Sequence, residues 1–131
     1  MDTTPAKLVR IGYLHAHIGY DTRYSDDLYV HWDPNTDTVR VRVFTTGAVG
    51  GMDGGRSDSY EPRADFDQTC QPVAKEVMAL IKKCTTSDRF NFKRYGKPTK
   101  NFRWTPNTAG LNTTNCRGAI AWARETHRIG Q

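Results

Sequence analysis

Residues 39–45 constrain the fold most, because apolar and polar side chains alternate along them almost perfectly. A period of two is typical of a strand with one apolar face, and the other face here carries Arg40 and Arg42. Two upstream segments, residues 9–19 and 28–32, are rich in β-branched and aromatic residues. Polar turns are predicted between the three segments, over residues 21–27 and 33–37. The sequence therefore predicts an antiparallel meander.

Two helices are predicted after the meander, over residues 67–85 and 115–128. The first has an apolar face at helical spacing, which makes Cys84 a core residue. Residues 46–63 are rich in Gly, Asp and Ser and are predicted to be a loop, either a plain surface loop or a lid. Residues 88–110 interleave aromatic and basic side chains without a regular period. We expect these two irregular segments to line a cleft over Cys116.

Length and charge set the class of the protein. A chain of 131 residues favours one domain, residues 1–131, with an α+β fold in which an antiparallel sheet of four or five strands packs against two helices. No apolar run is long enough for a membrane span, and no secretory signal peptide is expected at the N-terminus. The net charge of +5 suits an anionic partner or serves only solubility. Three cysteines without zinc spacing predict neither a metal site, a cofactor nor a disulfide framework.

Cys116 is the candidate nucleophile. Asn115 or Thr114 can cap the last helix, which places Cys116 in its first turn. Free backbone N–H groups and the helix dipole there favour a thiolate and can bind an oxyanion, so Asn115 marks a candidate oxyanion site. The alternative is a buried structural cysteine, which is common.

Three histidines on the first two predicted strands could supply the base. His15 and His17 are two residues apart and share a strand face, and His31 lies on the next strand. A nucleophilic cysteine needs such a base, itself oriented by a third polar group. Pairing of the two strands would make these histidines neighbours. His127, near the C-terminus, is expected to be incidental.

These motifs resemble those of a known superfamily. His17-Ile18-Gly19-Tyr20, a polar turn and Tyr29-Val30-His31-Trp32 are similar to the histidine strands of NlpC-type papain-like cysteine hydrolases. Asn115-Cys116 at the start of the last helix resembles the circularly permuted branch, in which the histidine strands come first and the cysteine helix last. The resemblance implies a permuted papain-like fold, with Cys116 as nucleophile, His17 as general base and His31 as orienting residue. His15 is the alternative base.

The resemblance implies a thiol-dependent amide hydrolase, a peptidase or amidase acting on peptidoglycan or another peptide through a Cys116 thioacyl intermediate. A small wall hydrolase of this kind further suggests an antibacterial effector toxin, made in the cytoplasm, exported by a specialised secretion system to the periplasm and countered by an immunity protein. Nucleic acid is the less expected partner.

Three alternatives remain open. An acyl hydrolase or transferase of the same permuted fold would use the same residues. A basic RNA-binding protein or ribonuclease would use the aromatic and basic residues 90–104 as a stacking platform and the histidines for acid–base chemistry. A non-catalytic interaction module would hold the histidines and Cys116 as structural residues.

Overall fold

The structure is a computed structural model, and it describes residues 7–18, 21–46, 63–94, 96, 101–105 and 115–127. Within these residues, five strands form one antiparallel sheet in the spatial order β4-β3-β2-β1-β5. The strands are β1 (Val9–Ile18), β2 (Asp21–Asp33), β3 (Thr38–Thr46), β4 (Arg63–Cys70) and β5 (Arg103–Trp104). Helix α1 (Ala74–Thr85) follows β4, and helix α2 (Cys116–Thr126) follows β5. The predicted α+β class, with a meander and two helices, is therefore confirmed.

One face of the sheet is the wall of the hydrophobic core. Residues alternate along each strand, and most of those on this face are buried because both helices pack against it. They include Leu14, Leu28, Val30, Val41 and Val43. Helix α1 contributes Val77, Ile81 and Cys84 to the same core, and α2 contributes Cys116, Ala119, Ile120 and Ala123.

The opposite face of the sheet carries polar and aromatic side chains, and we call it the polar face. The strand register places its members in three rows across β1, β2 and β3. Row 1 is His15, Asp27 and Phe44; row 2 is Tyr13, Tyr29 and Arg42; row 3 is Arg10, His31 and Arg40. Successive rows are two residues apart, roughly 7 Å along the strands.

The short strand β5 closes one side of the sheet against β1. A register shift in β1 between Arg10 and Gly12 accompanies this pairing. The Thr105 N–H donates to Ile11 O at 3.0 Å, and the Thr105 hydroxyl donates to Arg10 O at 2.8 Å. The absence of a side chain at Gly12 lets the rings of Phe102 and Trp104 approach the strand.

Two predicted boundaries are wrong. Strand β2 begins at Asp21, so residues 21–27 are not a turn. Helix α1 begins at Ala74, and Asp67 to Cys70 belong to β4, so Cys70 and Cys84 are not on one helix. Polar residues are tolerated in these strands because they have partners: Arg40, for example, donates two hydrogen bonds to the Asp67 carboxylate, at 2.6 and 2.7 Å.

The aromatic residues of the segment 88–105 are mostly core residues. Phe90 and Phe92 are buried around a short 3₁₀ turn (Asn91–Lys93), and Phe102 and Trp104 pack against the core cluster. The predicted stacking platform on this segment is therefore wrong for Phe90 and Phe92. The predicted loop was residues 46–63. Its end residues belong to β3 and β4, and residues 47–62 lie outside the described residues, as does the C-terminal end of the predicted last helix. Neither described helix is long and apolar enough to cross a membrane.

Candidate functional site

Cys116 is the first residue of helix α2, as predicted. Asn115 has an extended backbone and caps the helix, because its side-chain oxygen accepts a hydrogen bond from the Gly118 N–H at 2.8 Å. The capping oxygen satisfies one of the backbone N–H groups that the sequence offered as an oxyanion site. The Asn115 side chain thus occupies one of the hydrogen-bond donors of the first turn.

The Cys116 side chain lies in the core, with 4% of its surface exposed. Burial, and then the nearby thiol of Cys70, raise the pKa of Cys116 to about 12. The helix terminus does not offset this burial, so the thiol stays protonated at neutral pH. The surroundings match those of a structural cysteine.

The structure does not bring Cys116 and the described histidine side chains together. His15 and His31 lie on the polar face, whereas Cys116 packs on the core face of the same sheet. In this arrangement His31 does not lie where it could orient a base for Cys116. The alternative base His15 is separated from the thiol by the sheet as well.

The side chain of His17 lies outside the described residues, but its backbone position is described. Cys70, whose thiol is near Cys116, pairs with Val39 on β3, which in turn pairs with Trp32 on β2. His17 pairs with Ser25, seven residues from Trp32 along β2, which is roughly 23 Å. A catalytic base must lie within about 3 Å of the nucleophile. The described backbone therefore does not support the Cys116–His17 pair, and a role for His17 stays a prediction.

Among the described histidine side chains, His15 has a carboxylate partner. Its Nδ1 is hydrogen-bonded to Asp27 Oδ1, and the two residues are direct cross-strand partners. The Tyr13 hydroxyl donates to the same Asp27 oxygen at 3.2 Å, and the Ser25 hydroxyl donates to Asp27 Oδ2 at 3.3 Å. A carboxylate on Nδ1 orients an imidazole and leaves its basic lone pair on Nε2. His15 and Asp27 thus form an oriented acid–base pair on the polar face.

Aromatic rings connect this pair to the rest of the polar face. Tyr29 lies at the centre, with its ring centroid 5.2 Å from that of Tyr13 and 5.7 Å from that of Phe44. The Arg42 guanidinium lies 5.2 Å from the Phe44 centroid, and that of Arg10 lies 5.6 Å from the Tyr13 centroid. Burial and the nearby Asp27 raise the pKa of Tyr13 to about 12, so its phenol stays neutral. The three rings are half-buried and form a continuous surface flanked by arginines.

His31 has a different environment from His15. Burial, and then the neighbouring Arg42, Arg10 and Arg40, lower the pKa of His31 to about 4. The imidazole is therefore neutral at physiological pH. Its Nδ1 is buried and makes no hydrogen bond within the described part of the chain. Its ring contacts Tyr29, with centroids 5.9 Å apart.

Two further features lie elsewhere among the described residues. No group of three or more His, Cys, Asp or Glu side chains among them is arranged to hold a metal ion. A cavity of about 470 Å³ opens beside the 3₁₀ turn, and its lining includes neither Cys116 nor a described histidine side chain. Its lining consists of Asp88, Phe90, Asn91, Lys93 and Arg94.

Asp27 is the member of the site that sequence reasoning missed. The signal was present, because Ser25, Asp27, Tyr29 and His31 recur every second residue and so share a strand face. The assignment of residues 21–27 to a turn hid this periodicity.

Comparisons with protein-family models, curated proteins and solved structures found no match to the chain.

Proposed function

We propose that the polar face binds single-stranded RNA and that His15, oriented by Asp27, acts there as the general base in RNA cleavage. The observation that carries this proposal is the His15–Asp27 pair beside the aromatic and arginine side chains of one sheet face. This replaces the sequence-based ranking, in which a peptide was the leading substrate.

The chemistry follows from what surrounds His15. The Ser25 and Tyr13 hydroxyls both donate hydrogen bonds to Asp27. Their O–H groups are therefore directed at the carboxylate and not at His15. A base placed in this way acts on a hydroxyl that the substrate brings. RNA brings its own, the 2′-OH.

In the proposed step, Nε2 of His15 takes the proton of the 2′-OH, and the 2′ oxygen attacks the adjacent phosphorus. The bond from phosphorus to the 5′ oxygen breaks, and that oxygen takes a proton from water. The products are a 2′,3′-cyclic phosphate and a free 5′-hydroxyl. Asp27 holds the imidazole in position and stabilises the imidazolium that forms.

The aromatic surface and the charge fit a nucleic acid. Every base has a π-face, so Tyr13, Tyr29 and Phe44 provide stacking surfaces that do not depend on sequence. Arg10 and Arg42 lie beside these rings and provide positive charge for phosphates. The net charge of +5 favours the same partner.

RNA cleavage with product analysis tests the proposal. A single-stranded RNA should yield 2′,3′-cyclic phosphate ends, and the matching DNA should stay intact because it lacks the 2′-OH. His15→Gln and Asp27→Asn should each lower the rate by about 10²–10⁴-fold, the usual contribution of a general base. Cys116→Ser is the control and should retain activity. Cleavage that ignores His15, or no cleavage by the folded protein, would overturn the assignment.

A thiol-dependent amide hydrolase is the second candidate. The observation in its favour is the capped helix start at Asn115 and Cys116, which the resemblance to the permuted papain-like branch implies. It requires an arrangement in which the Cys116 thiol contacts a general base and is exposed to solvent. Peptidoglycan as substrate, export to the periplasm and an immunity protein belong to this candidate, and so does the acyl-transfer variant of the same fold.

Two assays separate the candidates. Release of peptide from purified peptidoglycan fragments by the protein, abolished in Cys116→Ala and retained in Cys70→Ala, would select the thiol hydrolase. Fast modification of Cys116 by iodoacetamide at neutral pH would point the same way, because only a thiolate reacts quickly. Slow modification together with RNA cleavage would select the polar face.

A further inference from the structure

Two buried nitrogen atoms on the polar face have no hydrogen-bond partner in the described part of the chain. They are Nδ1 of His31 and Nε of Arg42. The two residues are diagonal neighbours, since Tyr29 pairs with Arg42 and His31 pairs with Arg40. Side chains in this relation on adjacent strands can contact a common group. Buried polar atoms are rarely left without partners, so these two call for an explanation.

Arg42 differs from Arg40, which lies two residues away on the same face. The Arg40 guanidinium is occupied by the Asp67 carboxylate through two hydrogen bonds. Arg42 is the direct cross-strand partner of Asp67, but the carboxylate bonds to Arg40 instead. Arg42 is held against the Phe44 ring, and its buried Nε–H has no acceptor among the residues that the structure describes.

We propose that His31 and Arg42 form a subsite for one phosphate group on the polar face, with Arg42 Nε–H and a His31 ring N–H donating to its oxygens. The guanidinium fork matches the geometry of a phosphate, and the anion would satisfy both unpartnered nitrogens. The inference deepens the proposed function and rests on it for the identity of the ligand. Arg42 lies in row 2 and His31 in row 3, roughly 7 and 13 Å from the His15 row, so this would be a phosphate other than the one cleaved.

The charges around His31 predict how phosphate binding changes its pKa. The groups facing the imidazole are Arg10 from β1 and Arg40 and Arg42 from β3, all cationic, with Tyr29 beside it on β2. The negative charge of a bound phosphate group would offset the positive potential of these arginines and favour the imidazolium. Phosphate binding should therefore raise the pKa of His31, typically by one unit or more.

Nuclear magnetic resonance of the imidazole nitrogens tests the subsite. Addition of inorganic phosphate to the full chain should shift the His31 signals and raise the pH midpoint of its protonation. Addition of a short oligothymidylate should do the same if the phosphate of a nucleic acid enters the site. Arg42→Gln should weaken phosphate binding at least about tenfold, and Arg42→Lys should weaken it less. Arg124→Gln, an equal loss of charge on α2, is the matched control and should have little effect.

The outcomes separate this inference from the proposed function. A His31 response to phosphate that Arg42→Gln removes supports the subsite, whether or not RNA is cleaved. The absence of a His31 response at tens of millimolar phosphate would overturn it, even if RNA is cleaved in a His15-dependent way. Equal weakening by Arg42→Gln and Arg124→Gln would also overturn it, because only general charge attraction would then remain. A His31 response to phosphate but not to oligothymidylate would support a site for free phosphate and overturn its role in binding nucleic acid.

Discussion

Asp26 and Asp27 are adjacent in sequence, but their carboxylates serve opposite faces of the sheet. Asp27 orients His15 on the polar face, whereas Asp26 is buried on the core side. Asp26 accepts hydrogen bonds from the Asn91 backbone N–H at 2.8 Å, the Asn91 side-chain amide at 2.7 Å and the Thr45 hydroxyl at 2.7 Å. These bonds tie the 3₁₀ turn to β2 and β3. Because neighbouring residues of a strand point to opposite faces, these two adjacent aspartates have different roles.

Replacement of Asp26 by Ala should destabilise the fold. The Asn91 N–H would be left buried without its acceptor, and we expect the free energy of unfolding to fall by about 3 kcal/mol. Asp26→Asn keeps one acceptor oxygen and should cost less. Urea denaturation measures both, with the exposed Asp88→Ala as control. A loss below that of the control would show that the three bonds do not stabilise the turn.

His31 should make the stability depend on pH. Its pKa is about 4 in the folded chain and ordinarily near 6.5, so the unfolded state binds more protons between these values. Stability contributed by the neutral imidazole is present above pH 6.5 and is lost as the pH falls towards 4. The slope from this residue is at most about 1.4 kcal/mol per pH unit.

Replacement of His31 by Gln should remove that slope. Denaturation curves at several pH values in phosphate-free buffer measure it, and the exposed His127→Gln provides the control. An unchanged pH dependence in His31→Gln would contradict the buried, neutral state of this imidazole.

At the scale of elements, the meander and the last helix could be predicted from local pattern. The period of two in residues 39–45 needed no tertiary information, and neither did the Asn115 cap. Strand β4 could not be predicted in the same way, because a polar residue such as Asp67 is stabilised there by the distant Arg40. In β2 the alternation from Ser25 onward was available in the sequence, but the polar residues favoured a turn, and the distant Asn91 that stabilises Asp26 could not be foreseen.

The pairing of β5 with β1 depends on a glycine. A Cβ at position 12 would lie 2.9 Å from Phe102 Cζ and 3.1 Å from Trp104 Cζ3, closer than atoms normally approach. We expect Gly12→Ala to lower the free energy of unfolding by about 1–3 kcal/mol through overpacking. The double variant Gly12→Ala/Phe102→Leu should recover part of this loss, as a thermal denaturation cycle can measure. Additive losses would show that the Phe102 ring is not the obstacle.

At the scale of the whole molecule, the faces of the sheet decide which residues can react together. Leu14 and Ala16 alternate with His15, and Leu28 and Val30 alternate with His31. The apolar residues face the helices, so these histidines face away from helix α2 and from Cys116. This signal was available in the sequence. The resemblance of short motifs gave their order along the chain, but order alone does not place two side chains on one face.

We propose that the polar face, and not the start of α2, is the functional surface. The most direct measurement is backbone and ring chemical-shift mapping of the full chain with a short single-stranded DNA, which can bind but lacks the 2′-OH. We predict that the largest shifts fall on Tyr13, His15, Tyr29 and Phe44, and that they weaken at higher salt concentration. Shifts centred on Cys116 and Asn115, or no shifts at low salt concentration, would contradict the claim.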